Sequence, residues 1–265
     1  MATLSGLPLG GPRVRLFLKA AFVFVATCLI LPFALPAPQP RYHLPRTTIS
    51  QTPLRILPLG DSITWGWQPA HQQSGTNGYR AQLLARLAQA GNADVDFVGT
   101  QRSGDMEDAD NEGHSGFTIA QVRGVMDAGL EFAPNVVLVH AGTNDLNREE
   151  GAEGTWAEAP NRLGEIVDRV VEQGPDTVVL VAKIIQAENN RTAENIARFN
   201  KAVKEVVGSR LTLGYNVMVV DHSVVGVGEL VDGLHPTDAG YAHMGDIWFE
   251  GLKLAAEQGL IRPPV

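Results

Sequence analysis

The stretch Val136-Val137-Leu138-Val139-His140-Ala141-Gly142-Thr143-Asn144-Asp145 decides how the chain folds. Its first half is an unbroken apolar run, the pattern of a strand buried on both faces, as in a parallel sheet. Its second half is a polar turn of the kind that closes a strand. Taken as Asn135–His140, it is the third of five expected strands, the others being Leu54–Leu59, Val95–Val98, Thr177–Ala182 and Asn216–Val220. Helical patterns fill the gaps. Tyr79–Ala90 carries Leu83, Leu84 and Leu87; Asn161–Gln173 carries Leu163, Ile166, Val167, Val170 and Val171; Ala193–Val207 carries Ile196, Phe199, Val203 and Val206. Each set forms one apolar stripe. Strand alternating with helix over residues 54–265 predicts a single three-layer α/β domain with its ligands at the carboxyl ends of the strands.

Composition and charge narrow the function. Of the 265 residues, 44% are hydrophobic and 19% charged, ample for a packed core. Six of the 21 Lys and Arg residues precede Asp61 and no acidic residue does. That leaves 15 basic against 29 acidic side chains over residues 61–265, a net charge of −14. Such a body repels phosphate backbones, so no nucleic-acid partner is expected. The single cysteine, Cys28, excludes an intramolecular disulfide, a Cys-based metal site and a cysteine nucleophile in the body.

Residues 1–37 have the layout of a signal peptide or signal anchor. Arg13, Arg15 and Lys19 precede the apolar run Ala20–Leu31, which stops at Pro32. Twelve helical residues span about 18 Å, well short of a hydrocarbon core of ~30 Å. Cleaved or anchored, the segment sends the body out of the cytosol, and a membrane partner is expected only if it stays uncleaved. Residues 38–53, with Pro38, Pro40, Pro45 and Pro53, read as an extended linker. Asn190-Arg191-Thr192 is a glycosylation sequon on Asn190, although a single such tripeptide is about what chance provides.

Chemistry gathers where strands end. The first strand runs into Gly60-Asp61-Ser62-Ile63. A serine hydroxyl is a poor nucleophile unless an imidazole takes its proton and a carboxylate orients that imidazole. Asp232-Gly233-Leu234-His235, far along the chain, supplies both in one turn. The Asp232 carboxylate can meet Nδ1 of His235 and leave Nε2 for Ser62. Asn144, past the third strand, can aim a side-chain N–H at a developing oxyanion. Each segment alone also suits a plain turn or cap; their joint presence favours catalysis.

These blocks resemble the SGNH, or GDSL-type, hydrolases over nearly all of residues 54–255. The resemblance implies a flavodoxin-like α/β/α sandwich with a five-stranded parallel sheet, and serine chemistry with no metal or other cofactor. The G-x-S-x-G elbow of α/β-hydrolases is not met, because Thr64 stands where its second glycine belongs. A closer similarity, to carbohydrate esterase family three (acetylxylan esterases), lies in Asp96–Gly104, in Asn111–Ile119 and in Gly78-Tyr79-Arg80. Gly99 and Gly116 compete as the second oxyanion donor. Gly116 is preferred, by that similarity and because Thr118 and Gln121 can cap a helix beside it.

The expected machinery is therefore Ser62, Asp232 and His235, with an oxyanion hole of Ser62, Gly116 and Asn144. Asp61, Trp65 and His114 are candidate substrate contacts. Trp65 and Trp67 both flank the nucleophile, as a sugar-stacking wall or as packing. His114, His140 and His222 lack metal-ligand spacing. Adjacent residues on extended chain face opposite sides, so Asp221-His222-Ser223 is not expected to form a relay. The expected protein is a secreted, monomeric esterase acting on a small ester or an acetylated polysaccharide such as acetylxylan. A lipase, lysophospholipase or general acyl esterase is the alternative, and a non-catalytic carbohydrate-binding protein on the same scaffold is a third.

Overall fold

The computed structural model describes residues 48–151 and 154–264. The expected leader and most of the expected linker lie outside the described residues. The linker's last part is not extended: Ile49–Gln51 forms a short 3-10 turn, and Ile49 and Thr52 are buried. The Asn92 side chain donates to the carbonyls of both, at 2.6 and 2.9 Å, and so ties this entry strap to the body.

The first half of the body contains β1 (Leu54–Gly60), α1 (Ser62–Trp65), α2 (Gly78–Gln89), β2 (Val95–Phe97), β3 (Gln101–Arg102), β4 (Asp110–Gly113), α3 (Ile119–Val125) and α4 (Asp127–Leu130). The second half contains β5 (Val136–His140), α5 (Thr143–Asn147), α6 (Ala159–Gln173), β6 (Val178–Lys183), α7 (Asn190–Thr212), β7 (Val217–Asp221) and α8 (Asp238–Glu257). β1 lies at the centre, parallel to β5 along its length, with Ile56 opposite Val136 and Gly60 opposite His140. Its other edge is shared: β2 pairs with its first half and β4 with its end, both parallel. β6 and β7 continue the parallel sheet beyond β5. The five principal strands thus take the flavodoxin-like order.

Successive side chains on a strand face opposite ways, so an unbroken apolar run feeds two cores. Leu57, Leu59, Val137, Val139, Val179 and Val181 pack with α3, α6 and α7 on one face. Ile56, Val136, Leu138, Val178 and Leu180 pack with α2 and α8 on the other. The β3–β4 pair and α8 are among the elements that escaped the sequence reading. The antiparallel pair β3–β4 is short and polar, with no apolar run to announce it. α8 buries Tyr241, Met244, Trp248, Phe249 and Leu252 at helical spacing, but Gly240, Gly245 and Gly251 depress its helix propensity.

Arg80 holds the β3–β4 pair to α2. Its guanidinium is fully buried and donates to the carbonyls of Ala109, Asp110, Thr76 and Ser103 and to the Ser103 hydroxyl, at 2.5 to 3.4 Å. Burial pushes it down to about 10, so it remains a cation at neutral pH. Removing it strands several buried acceptors, each costing about 1–3 kcal/mol. Arg80→Met is expected to destabilise the fold by at least about 2 kcal/mol in urea unfolding; an unchanged midpoint would show that the pair is held by other contacts.

Candidate active site

Every element that carries a candidate side chain opens at the carboxyl edge of the sheet. Ser62 is the first residue of α1, so its backbone N–H has no partner within that helix. Its Oγ lies 3.0 Å from Nε2 of His235. Nδ1 of His235 lies 2.9 Å from Oδ2 of Asp232, while Oδ1 of Asp232 accepts the backbone N–H groups of Leu234 and His235 at 3.1 and 2.7 Å. Desolvation raises the Asp232 carboxyl, but the hydrogen bonds from His235 and Leu234 outweigh it and hold the group below the usual carboxylate range. Asp232 is therefore an anion at neutral pH, placed to fix the imidazole tautomer.

The turn that carries these residues is tied at several points. Val231 N–H donates to the His235 carbonyl at 2.8 Å, and Glu188 N–H to the Gly233 carbonyl at 2.8 Å. Gln68 donates to the Pro236 carbonyl at 3.1 Å and to the Asp238 carboxylate at 2.9 Å. The Trp67 ring packs against the His235 imidazole at a tilt of 42°, with centroids 4.2 Å apart.

On the opposite side, His114–Phe117 makes a tight turn closed by Phe117 N–H to the His114 carbonyl at 3.0 Å. Gly116 sits in it at φ +83°, a conformation that glycine adopts without a steric penalty. His114 N–H bonds the Gly60 carbonyl at 3.0 Å, so the turn hangs from the end of β1. Nδ2 of Asn144 donates to the Phe117 carbonyl at 2.9 Å. An amide nitrogen has two hydrogens, so one remains for a ligand. A β-carbon on Gly116 would meet the Arg148 guanidinium at an ordinary contact distance of 3.6 Å, whereas one on Gly99 would strike the Asn111 carbonyl at 2.1 Å.

Three expected substrate contacts are placed otherwise. Asp61 is completely buried: it caps α1 by accepting Ile63 N–H at 3.0 Å and has no surface to offer a substrate. The Trp65 ring lies against Gly75 and its carbonyl accepts from Ser103 at 2.5 Å, so Trp67 is the tryptophan at the imidazole. His114 reaches back to buried Glu112 at 2.6 Å and stacks on Phe117. It supports the turn from behind. Asn190 is exposed at the start of α7.

Sequence reasoning missed Trp67's role and two anchors. Arg148 donates to the Gly116 carbonyl at 2.7 Å. Asp145 accepts Ile119 N–H at 2.9 Å and Arg162 at 3.0 Å, fixing α3 behind the turn. Asp145 was visible as the last residue of Gly142-Thr143-Asn144-Asp145, but Arg148 has no sequence signal. His140 and His222 are fully buried with rings 5.7 Å apart, and His222 packs edge-on against Trp248. Asp221 pairs with Lys183, away from His222. Among the described residues no three His, Cys, Asp or Glu side chains form a metal-binding group.

The profile of the GDSL-like lipase/acylhydrolase family matches residues 59–243. The chain belongs to this family. As a GDSL-like acylhydrolase it is a carboxylic ester hydrolase. It is similar to a family 3 carbohydrate esterase of Clostridium thermocellum, at 30% identity and a TM-score of 0.62 over 77% of this chain and 98% of that one. It shares the fold of an acetylxylan esterase, Axe2, from Geobacillus stearothermophilus, at 17% identity and a TM-score of 0.58 over 76% of this chain and 94% of that one. A multidomain esterase of Ruminococcus flavefaciens is 27% identical over 92% of this chain. This chain spans only 33% of that relative's length.

Asp61 makes the scaffold sensitive to pH. Burial, opposed by the bond from Ile63 N–H and by the nearby Thr143 and assisted by the nearby Asp145 charge, pushes its carboxyl up to about 7. An unfolded Asp ionises near ~4. Between those values the folded state holds a proton that the unfolded state releases, so this group's contribution to stability falls as pH rises. Asp61→Asn keeps the cap and never ionises. The melting temperature of Asp61→Asn minus that of wild type is expected to become more positive from about pH 4 to pH 7; a constant difference would show that Asp61 ionises normally.

Proposed function

We propose that this GDSL-like hydrolase is an exported serine esterase that removes acetyl groups from plant polysaccharide such as acetylxylan. The observation that carries the reading is the continuous relay, Ser62 Oγ to His235 Nε2 at 3.0 Å and His235 Nδ1 to Asp232 at 2.9 Å. Ser62 attacks the ester carbonyl as Nε2 of His235 takes its proton, and Asp232 stabilises the imidazolium. The N–H groups of Ser62 and Gly116 and the free amide hydrogen of Asn144 receive the oxyanion. His235 then protonates the departing sugar hydroxyl, leaving an acetyl-enzyme that water opens by the same route.

Export rests on the basic-then-apolar layout of residues 1–37. The acetyl and polysaccharide assignment rests on likeness to a family 3 carbohydrate esterase and an acetylxylan esterase. A longer-chain acyl esterase is the second reading, favoured by exposed Val224, Val227 and Val231 on the segment leading into the Asp232–His235 turn.

Ser62→Ala is expected to lower kcat at least about 10⁴-fold without changing the melting temperature by more than about a degree. Full activity in that variant would end the assignment. Asn144→Ala leaves the relay intact and removes one transition-state donor, so kcat should fall about 10²–10³-fold with little change in KM. A raised KM at unchanged kcat would make Asn144 a substrate contact. With p-nitrophenyl esters of increasing chain length, activity should collapse beyond the shortest acyl groups; a rise toward octanoate would favour the second reading.

A further inference from the structure

The acidity of the body is locally reversed. A cleft of about 520 Å³ opens between the carboxyl end of β6, the stretch of α7 from Ala193 to Lys204 and the segment after β7. Lys183, Lys201, Lys204, Gln186, Asn200 and Ser223 line it, and none of its lining residues is Asp or Glu. The sequence holds five lysines, so three of the five converge on one cleft. Chance placement would bring carboxylates here first, since acidic side chains outnumber basic ones almost two to one after Asp61.

The three ammonium groups are not equivalent. Lys183 is buried and paired with Asp221, which also accepts from the Ser223 hydroxyl at 2.5 Å. Lys201 and Lys204 sit one turn apart on the exposed face of α7, and neither has an ion-pair partner among the described residues. Lys253, by contrast, pairs with Glu250. Two unpaired cations on the rim of a ligand-sized cleft form a site for a monoanion.

The cleft adjoins one that the relay's carboxylate lines. Ala187 lines both, and the walls of the second, of about 450 Å³, include Asn147, Asn189, Asp232 and Leu234. Glu188 and Asp232 keep the near end negative, and the lysines make the far end positive. A bound chain that places an ester at Ser62 and an anion further along meets both. A densely charged polyanion would be repelled by the rest of the surface; a sparsely charged one would not.

We propose that this cleft is a subsite for the carboxylate of a uronic acid carried by the same polysaccharide whose acetyl group is presented to Ser62. The inference rests on the polysaccharide reading above and adds that the preferred polymer is one with acidic substituents. Lys201 and Lys204 are specificity residues in this scheme and take no part in the chemistry.

The test uses one glucuronoxylan in two batches, one with its carboxyl groups reduced to alcohols, both then acetylated to the same degree. The wild-type protein should release acetate from the carboxyl-bearing batch with a kcat/KM about 3- to 10-fold higher. Lys201→Gln/Lys204→Gln should lose that preference, Lys201→Arg/Lys204→Arg should keep it, and both should hydrolyse p-nitrophenyl acetate at the wild-type rate. Equal rates on the two batches in wild type, or an undiminished preference in the glutamine variant, would overturn the proposal. Hydrolysis of p-nitrophenyl acetate but of neither polymer would overturn the polysaccharide reading, and the subsite with it.

Discussion

A β-carbon at position 60 would lie 2.1 Å from the carbonyl oxygen of His140 and 2.5 Å from the Thr64 hydroxyl. Neither contact is tolerable, so the last residue of β1 has to be glycine for β1 and β5 to run side by side to their ends. The arrangement of the site follows from that close approach. Gly60 gives its carbonyl to His114 and so suspends the Gly116 turn. The neighbouring β5 delivers Asn144, whose amide reaches the same turn at Phe117. Ser62 is two residues beyond Gly60, at the one place where a hydroxyl can stand between the turn on one side and the imidazole on the other. A larger residue at 60 would separate β1 from β5 and spread three segments that must converge within a few ångströms.

The scaffold behind this convergence is built from buried polar groups. Asp61 caps the nucleophile helix from within the core, Glu112 holds Thr100 and His114, and Asp145 joins the start of α3 to Arg162. Each is costly to bury and each is directional. Apolar packing could have filled the same volume, but it would not have fixed the orientation of the turn that carries Gly116. The two apolar cores hold the sheet together; the carboxylates beneath its carboxyl edge hold the loops to angle.

How much of this was legible follows from the length scale of each signal. All five principal strands appear within a residue or so of their expected bounds, because a strand buried on both faces writes itself as a continuous apolar run. The helices with one clean stripe were also readable, although α7 continues to Thr212, past the last stripe residue that was counted. The β3–β4 pair was not, since two and four polar residues leave no periodicity and are held by an arginine from another helix. The blocks around Ser62, Asn144 and Asp232–His235 were legible as residue types in order. Which neighbours face outward was not. Asp61 and His114 adjoin site residues in sequence, yet one is sealed in the core and the other turned back onto Glu112. Adjacency along the chain carries no information about the side a residue faces once the strand has ended.

Trp67 shows what such information is worth. Both tryptophans flank the nucleophile in sequence and Trp65 was the expected substrate contact, but the left-handed turn at Gly66 separates their fates. Trp67 N–H bonds the Ser62 carbonyl at 2.9 Å, its own carbonyl accepts from the Tyr241 hydroxyl at 3.0 Å, and its ring covers His235. The segment that leaves the nucleophile is thereby fastened to α8 and roofs the base. Gln68, the next residue, spans Pro236 and Asp238 on the same turn. The acid–base pair sits on a loop, and a loop alone orders a side chain poorly. Here the nucleophile's own segment orders it, so a displacement of Ser62 is passed directly to His235. The two partners of the relay are set by one rigid unit, although they stand 173 positions apart in the chain.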